Sequence, residues 1–579
     1  MIRKLLRSVR EFKTPAIITF LFMIGEAVIE CIIPFITANL MNQIKAGIEI
    51  KNLLMTGVLL VVMALLSLGF GGAAGYTSAK ASSGFARNLR NDLFDKIQSF
   101  SFDNVDRFSS ASLVTRLTTD VVHVQMSFMM LIRTAIRSPL MFIFSIIMAY
   151  IMGGKLAVVF VVAVPIIVFG LLMVSRKAMP AFKRVFKKYD KLNESIEENV
   201  RGMRVVKGFA KEEFEKEKFK KAAGDIRDDF TKAERIVAFN QPIMQVCLYI
   251  IMVFTLSFGS YMVISSRGAD LDVGHISAIL TYGMQILMSL MMLSMIYVMI
   301  SISFESMKRV TEILDEEPSI VNPENPVMEV LDGSIEFRDV DYKYAAEGTK
   351  YALEGVNLKI ESGMTVGVIG GTGSSKTTLV QLIPRLYDAT NGEVLVGGVN
   401  VRNYDLATLR DAVALVLQKN QLFSGTIREN LLWGDVNATD EEIRRACEFA
   451  QADEFINTFP EGYNTYIEQG GTNVSGGQKQ RLCIARALLK KPKVLILDDS
   501  TSAVDTKTDA KIRRAFREYI PETTKIIIAQ RVASVKDSDL IMVMDHGRVV
   551  AFGNHTELLS NCEIYKEIYE EQIGGGSNE

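Results

Sequence analysis

The sequence predicts two domains of different class, an all-α membrane domain with six spans followed by an α/β domain. Hydrophobic residues make up 49% of a chain that is also 23% charged, so the two kinds of residue must be segregated along the sequence. Long apolar stretches, each close to the length that crosses a bilayer, all lie in the first half. Short β-branched runs separated by helical segments fill the second half, which is the pattern of an α/β sheet.

The overall composition excludes some classes of function. The 579 residues include 65 Lys and Arg against 66 Asp and Glu, so nothing global favours a polyanionic partner such as nucleic acid. The five cysteines are scattered, without CxxC or zinc-site spacing, and we interpret them as reduced packing residues. The four histidines share no helix face at metal-ligand spacing, which argues against a catalytic metal held wholly by protein.

The membrane domain is predicted from stretches of about 20 mostly apolar residues. The six predicted spans are approximately residues 15–36, 53–76, 126–152, 156–174, 243–264 and 276–302. The long connectors 77–125 and 175–242 are helical in pattern and rich in Lys and Arg, so the positive-inside rule places them in the cytoplasm. The basic, amphipathic N-terminus is predicted as a helix on the cytoplasmic surface of the cell membrane.

Each long connector is predicted to continue the membrane helices and to turn near DRFSSASLVTRLTTD or ENVRGMRVVKGFAKEE. These tips either contact a soluble domain or form an ordinary solvated hairpin. Residues 316–329 concentrate three prolines and are predicted as the linker between domains. The membrane domain is therefore expected at 1–315, the second domain at 330–573, and a disordered tail at 574–579.

A phosphate-binding loop is the first chemical motif of the second domain. Strand-like MTVGVIG precedes GGTGSSKTTLVQLI, which resembles the pattern GxxxxGK[ST] at the start of a helix. Backbone N–H groups would cradle the phosphates, Lys376 would meet the β- and γ-phosphates, and Thr377 would bind Mg²⁺. Ser375 departs from the pattern because it occupies the glycine position before the lysine. The predicted loop residues are Gly371, Thr372, Gly373, Ser374, Ser375, Lys376, Thr377 and Thr378.

Two further motifs make the interpretation of the phosphate loop more specific. VLILDD reads as a buried strand ending in Asp498, placed as in the Walker B motif to hold Mg²⁺. NVSGGQKQR has glycines that let the backbone approach a phosphate and a helix whose positive end points at it. Its SGGQ residues are Ser475, Gly476, Gly477 and Gln478. With this spacing, the three motifs together resemble those of the ATP-binding cassette (ABC) superfamily.

The resemblance to ABC exporters covers nearly the whole chain. It implies the type I exporter architecture, also called the type IV fold, with a P-loop nucleotide-binding domain and with ATP and Mg²⁺ as cofactors. It also implies that Tyr344 stacks on adenine, Gln418 senses Mg²⁺, Glu468 touches the coupling helices and Asp505 crosses the dimer interface. In this family two cassettes face each other, so that each ATP lies between one chain's phosphate loop and the other's signature.

Two residues depart from the family pattern where the γ-phosphate would react. Asp499 stands where a glutamate usually orients the attacking water, and its shorter side chain draws the carboxylate back by about 1 Å, which can cost about 100-fold in rate. Gln530 replaces a histidine that contacts the γ-phosphate, and glutamine carries neither a proton nor a charge. The hypothesis is a degenerate site that binds ATP and hydrolyses it slowly, while the intact signature completes the site of a second, non-identical half-exporter. A homodimer with two slow sites is the alternative.

The substrate is the least constrained part of the sequence. Glu26 lies about 16 Å along the first span, one turn before Glu30, so the pair is either a counter-charge for cationic drugs or a structural contact with Arg133 or Arg137. A methionine stripe on the sixth span indicates either helix packing or an adaptable binding surface. Its members are Met284, Met288, Met291, Met295 and Met299.

Three functions remain open at this stage. The first is an ATPase that exports amphipathic or hydrophobic small molecules through the bilayer, as in multidrug efflux. The second is a lipid or peptide exporter of the same architecture. The third is a regulatory half in which ATP binding gates a partner without transport, as the weakened site would allow.

Overall fold

The computed structural model describes residues 1–266, 271–344, 350–500 and 504–574. It forms two compact units, which we treat separately. The first unit contains Met1–Gln98 and Ser110–Glu316, and the second contains Ser99–Ser109 together with the chain from Glu317 onward. The expected membrane domain at 1–315 therefore ends within one residue of the first unit but differs from it at segment 99–109. The segment 99–109 belongs to the second unit because its polar side chains bond to residues that follow the first unit in sequence.

Helices make up the part of the chain before residue 316. They are α1 (Ile2–Leu5), α2 (Lys13–Lys45), α3 (Ile50–Gln98), α4 (Phe102–Phe108), α5 (Ser110–Thr115), α6 (Val121–Ile132), α7 (Thr134–Gly153), α8 (Val158–Arg201), α9 (Met203–Gly208), α10 (Glu212–Ala238), α11 (Asn240–Ser265) and α12 (Val273–Asp315). A short π-helical stretch, Arg116–Asp120, joins α5 to α6. All of these except α4 lie in the first unit.

The six predicted spans all fall on helices. Within the described residues, five helical runs are long and apolar enough to cross a membrane, and one of them, Ser110–Arg201, contains both the third and the fourth predicted spans. Gly154, at φ +50°, starts the tight turn that separates these two spans. The third span is divided at Arg133 into α6 and α7, and Pro139, which has no N–H to donate, lies six residues further on, inside α7.

The N-terminal segment differs from the predicted surface helix. Only α1 is α-helical; the following turns are 3₁₀, and the backbone at Arg10 leaves the helical region at φ +41°. Its polar side chains form hydrogen bonds and ion pairs with residues of α3 and α12. Lys4 pairs with Asp315, Ser8 and Arg10 bond to Asp92, and Glu11 pairs with Arg87. The segment is thus fastened to α3 and α12 by specific contacts that its amphipathic pattern does not reveal.

Both long connectors continue the membrane helices, as expected. The first leaves α3 at Gln98 and turns through α4, slightly earlier than the predicted turn. The second leaves α8 at Arg201 and turns through α9, inside the predicted ENVRGMRVVKGFAKEE segment. After α12, the described chain up to residue 326 contains no helix or strand. It is held by hydrogen bonds, such as that between Asn322 and Asp405, and is followed by an isolated bridge from Val327 to Tyr404.

The second unit is built on two main sheets. Its strands are β1 (Ile335–Tyr342), β2 (Leu353–Ile360), β3 (Thr365–Ile369), β4 (Asn391–Val396), β5 (Val399–Asn400), β6 (Val413–Val416), β7 (Gly425–Thr426), β8 (Tyr466–Ile467), β9 (Val494–Asp498), β10 (Thr524–Ile528), β11 (Leu540–Asp545) and β12 (Arg548–Gly553). One sheet has the order β2-β1-β4-β5 and is antiparallel; the other has the order β12-β11-β3-β10-β9-β6 and is parallel except for its β12 edge.

The helices of the second unit follow its strands. They are α13 (Lys376–Gln381), α14 (Leu406–Ala412), α15 (Ile427–Leu431), α16 (Asp440–Phe449), α17 (Asp453–Ile456), α18 (Gly476–Leu489), α19 (Thr506–Tyr519), α20 (His555–Asn561) and α21 (Glu563–Gly574). The predicted disordered tail begins at the last residue of α21, and residues 575–579 lie outside the described chain.

The parallel sheet determines where the predicted motifs meet. Strands β3 and β9 both pair with β10, in parallel, so the three strands end at the same edge. The phosphate loop follows β3, Asp498 and Asp499 lie at the end of β9, and Gln530 lies just after β10. Segments separated by more than 100 residues are thereby brought to one edge of the sheet, where binding sites of open parallel sheets usually lie.

Candidate functional site

The phosphate loop has the backbone of a close-fitting turn. Gly370 has φ +156°, and a Cβ at this position would overlap the carbonyl oxygen of Met544. Gly373 has φ +85°, and Ser375 has φ +70°, in the left-handed region that non-glycine residues rarely adopt. The position where the family has glycine therefore does require a glycine-like backbone, and Ser375 adopts it at a cost in strain.

The lysine of the loop binds the loop itself. The Nζ of Lys376 donates to the carbonyl oxygens of Gly370 at 2.9 Å and Gly371 at 2.8 Å, and to Oγ of Ser374 at 3.2 Å. Burial lowers the pKa of Lys376, and the nearby carboxylates of Asp498 and Asp499 oppose that shift. The ammonium thus lies at the mouth of the loop, with its charge only partly compensated by neighbouring acids.

A hydroxyl and a buried carboxylate form the predicted Mg²⁺ position. Oγ1 of Thr377, at the start of α13, donates to Oδ2 of Asp498 at 2.8 Å. The Asp498 side chain is buried, and burial raises its pKa although the bond from Thr377 lowers it. A cation would relieve that desolvation penalty, and hydroxyl and carboxylate oxygens are ligands that Mg²⁺ prefers. The Thr377 hydroxyl and the Asp498 carboxylate therefore fit Mg²⁺. Gln418, the third predicted ligand, contacts Asp499 through its Nε2 at 3.4 Å.

The two residues that depart from the family pattern are in contact with each other. Oδ2 of Asp499 accepts a bond from Nε2 of Gln530 at 3.0 Å and a longer one from Nε2 of Gln418 at 3.4 Å. Asp499 itself has φ +47°, a backbone conformation that aspartate tolerates better than most residues. Two neutral amides thus contact the carboxylate at the position where the family has its general base.

The predicted adenine contact lies beside the phosphate loop. Tyr344 is two residues beyond β1, half-exposed, and its hydroxyl lies 2.9 Å from Oγ1 of Thr378 in α13. Its ring packs edge-on against Tyr342 and Tyr387. An exposed aromatic face next to the phosphate loop is the geometry that a stacked base requires.

The signature segment forms the capped N-terminus of helix α18. Ser475 accepts from the backbone N–H of Gln478, and the Gln478 side chain accepts from Ser475 N–H, so the two form a capping box on α18. Asn473 bonds to Glu468 N–H and to the carbonyl oxygen of Tyr466, which fixes the chain before the helix. Glu468 accepts a further bond from Thr472.

Asp505, predicted to cross a dimer interface, has a local role in this chain. Its side chain accepts from the backbone N–H of Thr508 at 3.0 Å and caps α19. These hydrogen bonds lower the pKa of Asp505. The preceding residues of the STSAVD motif, 501–503, lie outside the described chain.

The intramembrane acids are paired with an arginine. Arg137 Nη2 lies 2.6 Å from Glu30 Oε2, and its Nε lies 3.3 Å from Glu26 Oε1. Gln285 of α12 also donates to the Glu30 carbonyl. The sequence left two alternatives for these acids, a counter-charge for cationic drugs and a structural contact with an arginine. The structure contains the contact with Arg137.

The methionine stripe does not pack inside this chain. Met284, Met288, Met291 and Met295 are all 40% or more exposed, whereas Tyr282, Ile286 and Leu290 on the opposite face of α12 are buried. Met299, the last member of the stripe, is partly buried. The stripe is therefore available to lipid, a cavity or a second chain. Helix packing within the chain, which the sequence left open, does not account for it.

Sequence reasoning missed one residue next to the candidate site. Tyr387 is almost fully buried, contacts Tyr344, and donates its hydroxyl to Asp106 of α4 at 2.7 Å. The Tyr and Asp are 281 residues apart, so no periodicity or motif in the sequence connects them. The signal available was only the aromatic content of RLYDAT close after the phosphate-loop helix.

Comparisons with known proteins agree on both halves of the chain. A family model described as "ABC transporter transmembrane region" matches residues 16–304, and one described as "ABC transporter" matches residues 353–502. The chain is 34% identical to the uncharacterized ABC transporter ATP-binding protein YfiB of Bacillus subtilis, over 100% of both chains. It is 31% identical to the uncharacterized protein Rv1273c of Mycobacterium tuberculosis, over 98% of this chain and 97% of that one.

A solved structure shows the same fold. The structure of a bacterial Atm1-family ABC exporter with ATP bound matches with a TM-score of 0.84 at 23% identity, covering 97% of this chain and 98% of that one. A likeness at this identity concerns the fold and not the substrate.

Proposed function

This chain belongs to the ABC transporter family and is a membrane transport ATPase, and from that premise we propose that it is one half of a heterodimeric exporter with a degenerate ATP site of its own. The observation that supports the proposal most directly is the environment of Asp499, whose carboxylate is bonded by the amides of Gln418 and Gln530. The same region retains the groups that bind phosphate and Mg²⁺.

Binding of ATP follows from the loop and its neighbours. Backbone N–H groups of the loop and the N-terminus of α13 bind the phosphates, and Lys376 exchanges its bonds to Gly370 and Gly371 for bonds to phosphate oxygens. Thr377, Asp498 and Gln418 hold Mg²⁺, which when bound neutralises phosphate charge. Tyr344 stacks on the base once its hydroxyl leaves Thr378.

Hydrolysis is slow at this site because Asp499 cannot act as an efficient base. Its carboxylate is about 1 Å shorter in reach than a glutamate's, and the amides of Gln418 and Gln530 already use its Oδ2. An amide at position 530 also offers the γ-phosphate no positive charge, so less of the charge developing in the transition state is stabilised. The site therefore binds ATP but hydrolyses it slowly.

An intact signature is the reason to expect a different partner. Gly476 and Gly477 begin the 14-residue helix α18, and the capping box of Ser475 leaves the helix N-terminus well defined. This end of α18 completes the phosphate site of a second cassette that supplies its own glutamate and histidine. A homodimer would instead have two slow sites and little turnover.

The exposed face of α12 supports amphipathic small molecules as substrates. Its methionine side chains are flexible and polarisable, and such surfaces accept ligands of varied shape. A lipid or peptide exporter has the same architecture and is the main alternative for the substrate. The acids Glu26 and Glu30 are bound to Arg137, so they do not form a free anionic site for cations. The assembly is expected in the cell membrane, with the N-terminus and the ATP-binding domain cytoplasmic.

The pairing is tested by purification from membranes of the native host. The tagged chain, solubilised and examined by native mass spectrometry, should form a 1:1 complex with a second half-exporter that carries glutamate and histidine at the two altered positions. A dimer of this chain alone with brisk ATPase activity would refute the heterodimer.

The degenerate site is tested by restoring both residues in that complex. Asp499→Glu with Gln530→His should raise hydrolysis at this site by about 100-fold and abolish single-site ATP occlusion. Lys376→Ala on the same background is the control, because it removes phosphate binding from this site only. Unchanged occlusion in the restored complex would contradict the proposal. A regulatory half would show ATP binding but no dye efflux in vesicles that contain both chains.

A further inference from the structure

The loop that carries Gln530 begins where the parallel sheet ends. The backbone N–H of Ala529 donates to the carbonyl oxygen of Val368 in β3 at 3.2 Å, so the sheet holds the chain as far as this residue. Gln530 is exposed, and Val532, which starts a short 3₁₀ turn, is almost fully buried. Beyond Ala529, the backbone that sets the position of the Gln530 side chain is therefore held by contacts other than strand pairing.

The side chain of Gln572 in α21 provides two of these contacts. Its Nε2 donates to the carbonyl oxygen of Gln530 at 2.8 Å, and its Oε1 accepts from the backbone N–H of Val532 at 2.8 Å. One backbone group is an acceptor and the other a donor, so only one orientation of the Gln572 amide satisfies both. The amide thus fixes the loop on both sides of Arg531.

Helix α21 is attached to the core of the second unit before it reaches the loop. Tyr565 is fully buried, and its hydroxyl lies 2.7 Å from Nδ1 of His555 in α20. Ile568 is partly buried against the same hydrophobic cluster that contains Val532. Gln572 lies about one helical turn beyond Ile568, so its amide is carried on a fixed support.

The rest of the loop is held by a different helix. Arg513 of α19 donates to the carbonyl oxygen of Ala533 at 3.2 Å, and the hydroxyl of Ser534 donates to Asp509 of α19 at 3.3 Å. These bonds do not involve α21. Losing the Gln572 amide would therefore release the loop at Gln530 and leave its continuation in place.

We propose that Gln572 is a positioning residue for Gln530, which it holds through the loop backbone beside Asp499, where the γ-phosphate of ATP would lie. The proposal rests on the proposed ATP-binding function. Nε2 of Gln530 donates to Oδ2 of Asp499 at 3.0 Å, next to the end of β9. A donor whose backbone is already ordered loses less entropy when it bonds to a terminal phosphate. ADP lacks that phosphate, so the positioning by Gln572 favours ATP over ADP.

Retention of ATP by the full complex in lipid nanodiscs tests the proposal. The complex is loaded with labelled ATP and Mg²⁺, free nucleotide is removed, and the fraction that Lys376→Ala abolishes is the fraction held by this chain's site. Gln572→Met keeps the length of the side chain and removes both bonds. It should shorten the lifetime of the retained ATP by about tenfold and leave the affinity for ADP unchanged. Gln572→Glu can still accept from Val532 but cannot donate to the Gln530 carbonyl, so it should lose as much.

A double variant separates positioning from a merely structural role. In a Gln530→Ala background no amide remains to be positioned, so Gln572→Met should have no further effect on ATP retention. Without nucleotide, Gln572→Met should also speed hydrogen–deuterium exchange of the Val532 amide by about threefold or more, because that N–H loses its acceptor. The matched control is Glu571→Met. Glu571 is exposed on the same helix, and no hydrogen bond or ion pair joins it to another described residue, so this variant should behave as the unmodified protein.

Three results would overturn the proposal. They are an equal loss of ATP retention on adding Gln572→Met to Gln530→Ala, a parallel loss of ADP affinity, and unchanged exchange of the Val532 amide. A complex that retains no ATP in a Lys376-dependent way would instead refute the proposed function, and the exchange result then decides by itself whether Gln572 positions the loop. If Gln572→Met does not accumulate, Gln572→Glu decides between these outcomes.

Discussion

Ser375 stands where the family motif has glycine, and its backbone is strained. The left-handed conformation at φ +70° costs a non-glycine residue about 1–2 kcal/mol, and glycine there adds about 0.4–1 kcal/mol of unfolded-chain entropy. We expect Ser375→Gly to stabilise the second unit by about 0.5–1 kcal/mol. A higher melting temperature of the purified protein, with ATP affinity unchanged or tighter, is the measurement.

The control for this substitution is the neighbouring serine. Ser374 is buried, and its hydroxyl donates to the carbonyl oxygen of Gly371 at 2.8 Å and accepts from Lys376 Nζ at 3.2 Å. Ser374→Gly therefore removes two bonds without relieving a left-handed residue. We expect Ser374→Gly to lower the melting temperature. Equal effects of the two substitutions would mean that strain at Ser375 is not what the glycine relieves.

Asp505 caps helix α19, and substitutions there can separate this structural role from a role at a dimer interface. The side chain caps the helix through the N–H of Thr508, and the bond is kept by asparagine but not by alanine. We expect Asp505→Ala to lower the melting temperature and Asp505→Asn to leave it nearly unchanged. If both variants lose ATPase activity in the complex while only alanine loses stability, Asp505 also acts across the dimer interface.

The pH dependence of the same cap has a defined sign. Because hydrogen bonds lower the pKa of Asp505 below 3.8, its stabilising effect is complete above that unfolded value and is lost as the pH falls through the folded pKa. Asp505→Asn cannot titrate, so its acid unfolding should lack this contribution. An identical acid-unfolding curve for asparagine and aspartate at this position would argue against the cap.

At the scale of the whole molecule, the ion pairs of Arg137 connect helix α7 to helix α2 in the first unit. The contact is only partly buried, with Arg137 34% exposed, so removing one partner leaves an unpaired charge at a cost below that of a fully buried ion pair. We expect Arg137→Met to lower the temperature at which the solubilised protein aggregates, measured by fluorescence-detected size exclusion. Adding Glu26→Gln and Glu30→Gln should recover much of the loss, because no unpaired charge then remains.

Arg133→Met is the matched control, since the described structure gives Arg133 no ion pair. It should have a much smaller effect on the aggregation temperature. Transport by the Glu26→Gln and Glu30→Gln variant separates the two interpretations of the acids. Selective loss of cation export with a normal aggregation temperature would favour a substrate role over the structural contact.

Much of the molecule was predictable because it is encoded locally. Helical periodicity and apolar length placed the six predicted spans on helices, and β-branched runs located β1, β3, β9, β10 and β11. The antiparallel sheet was not anticipated in the same way, because β2 and β4 lack a distinctive pattern and are defined by pairing with β1. The N-terminal segment was predicted as a surface helix, yet its ion pairs to α3 and α12 depend on residues far along the chain.

The family, the fold class and the order of motifs follow from the sequence alone, because glycines, proline clusters and hydrophobic periods act on neighbouring residues. Three features required the folded chain: the bonds from Gln418 and Gln530 to Asp499, the contact between Tyr387 and Asp106, and the membership of segment 99–109 in the second unit. Each joins residues between 31 and 281 positions apart. Such contacts depend on how strands and helices pack, and packing is a property of the whole fold rather than of any local pattern.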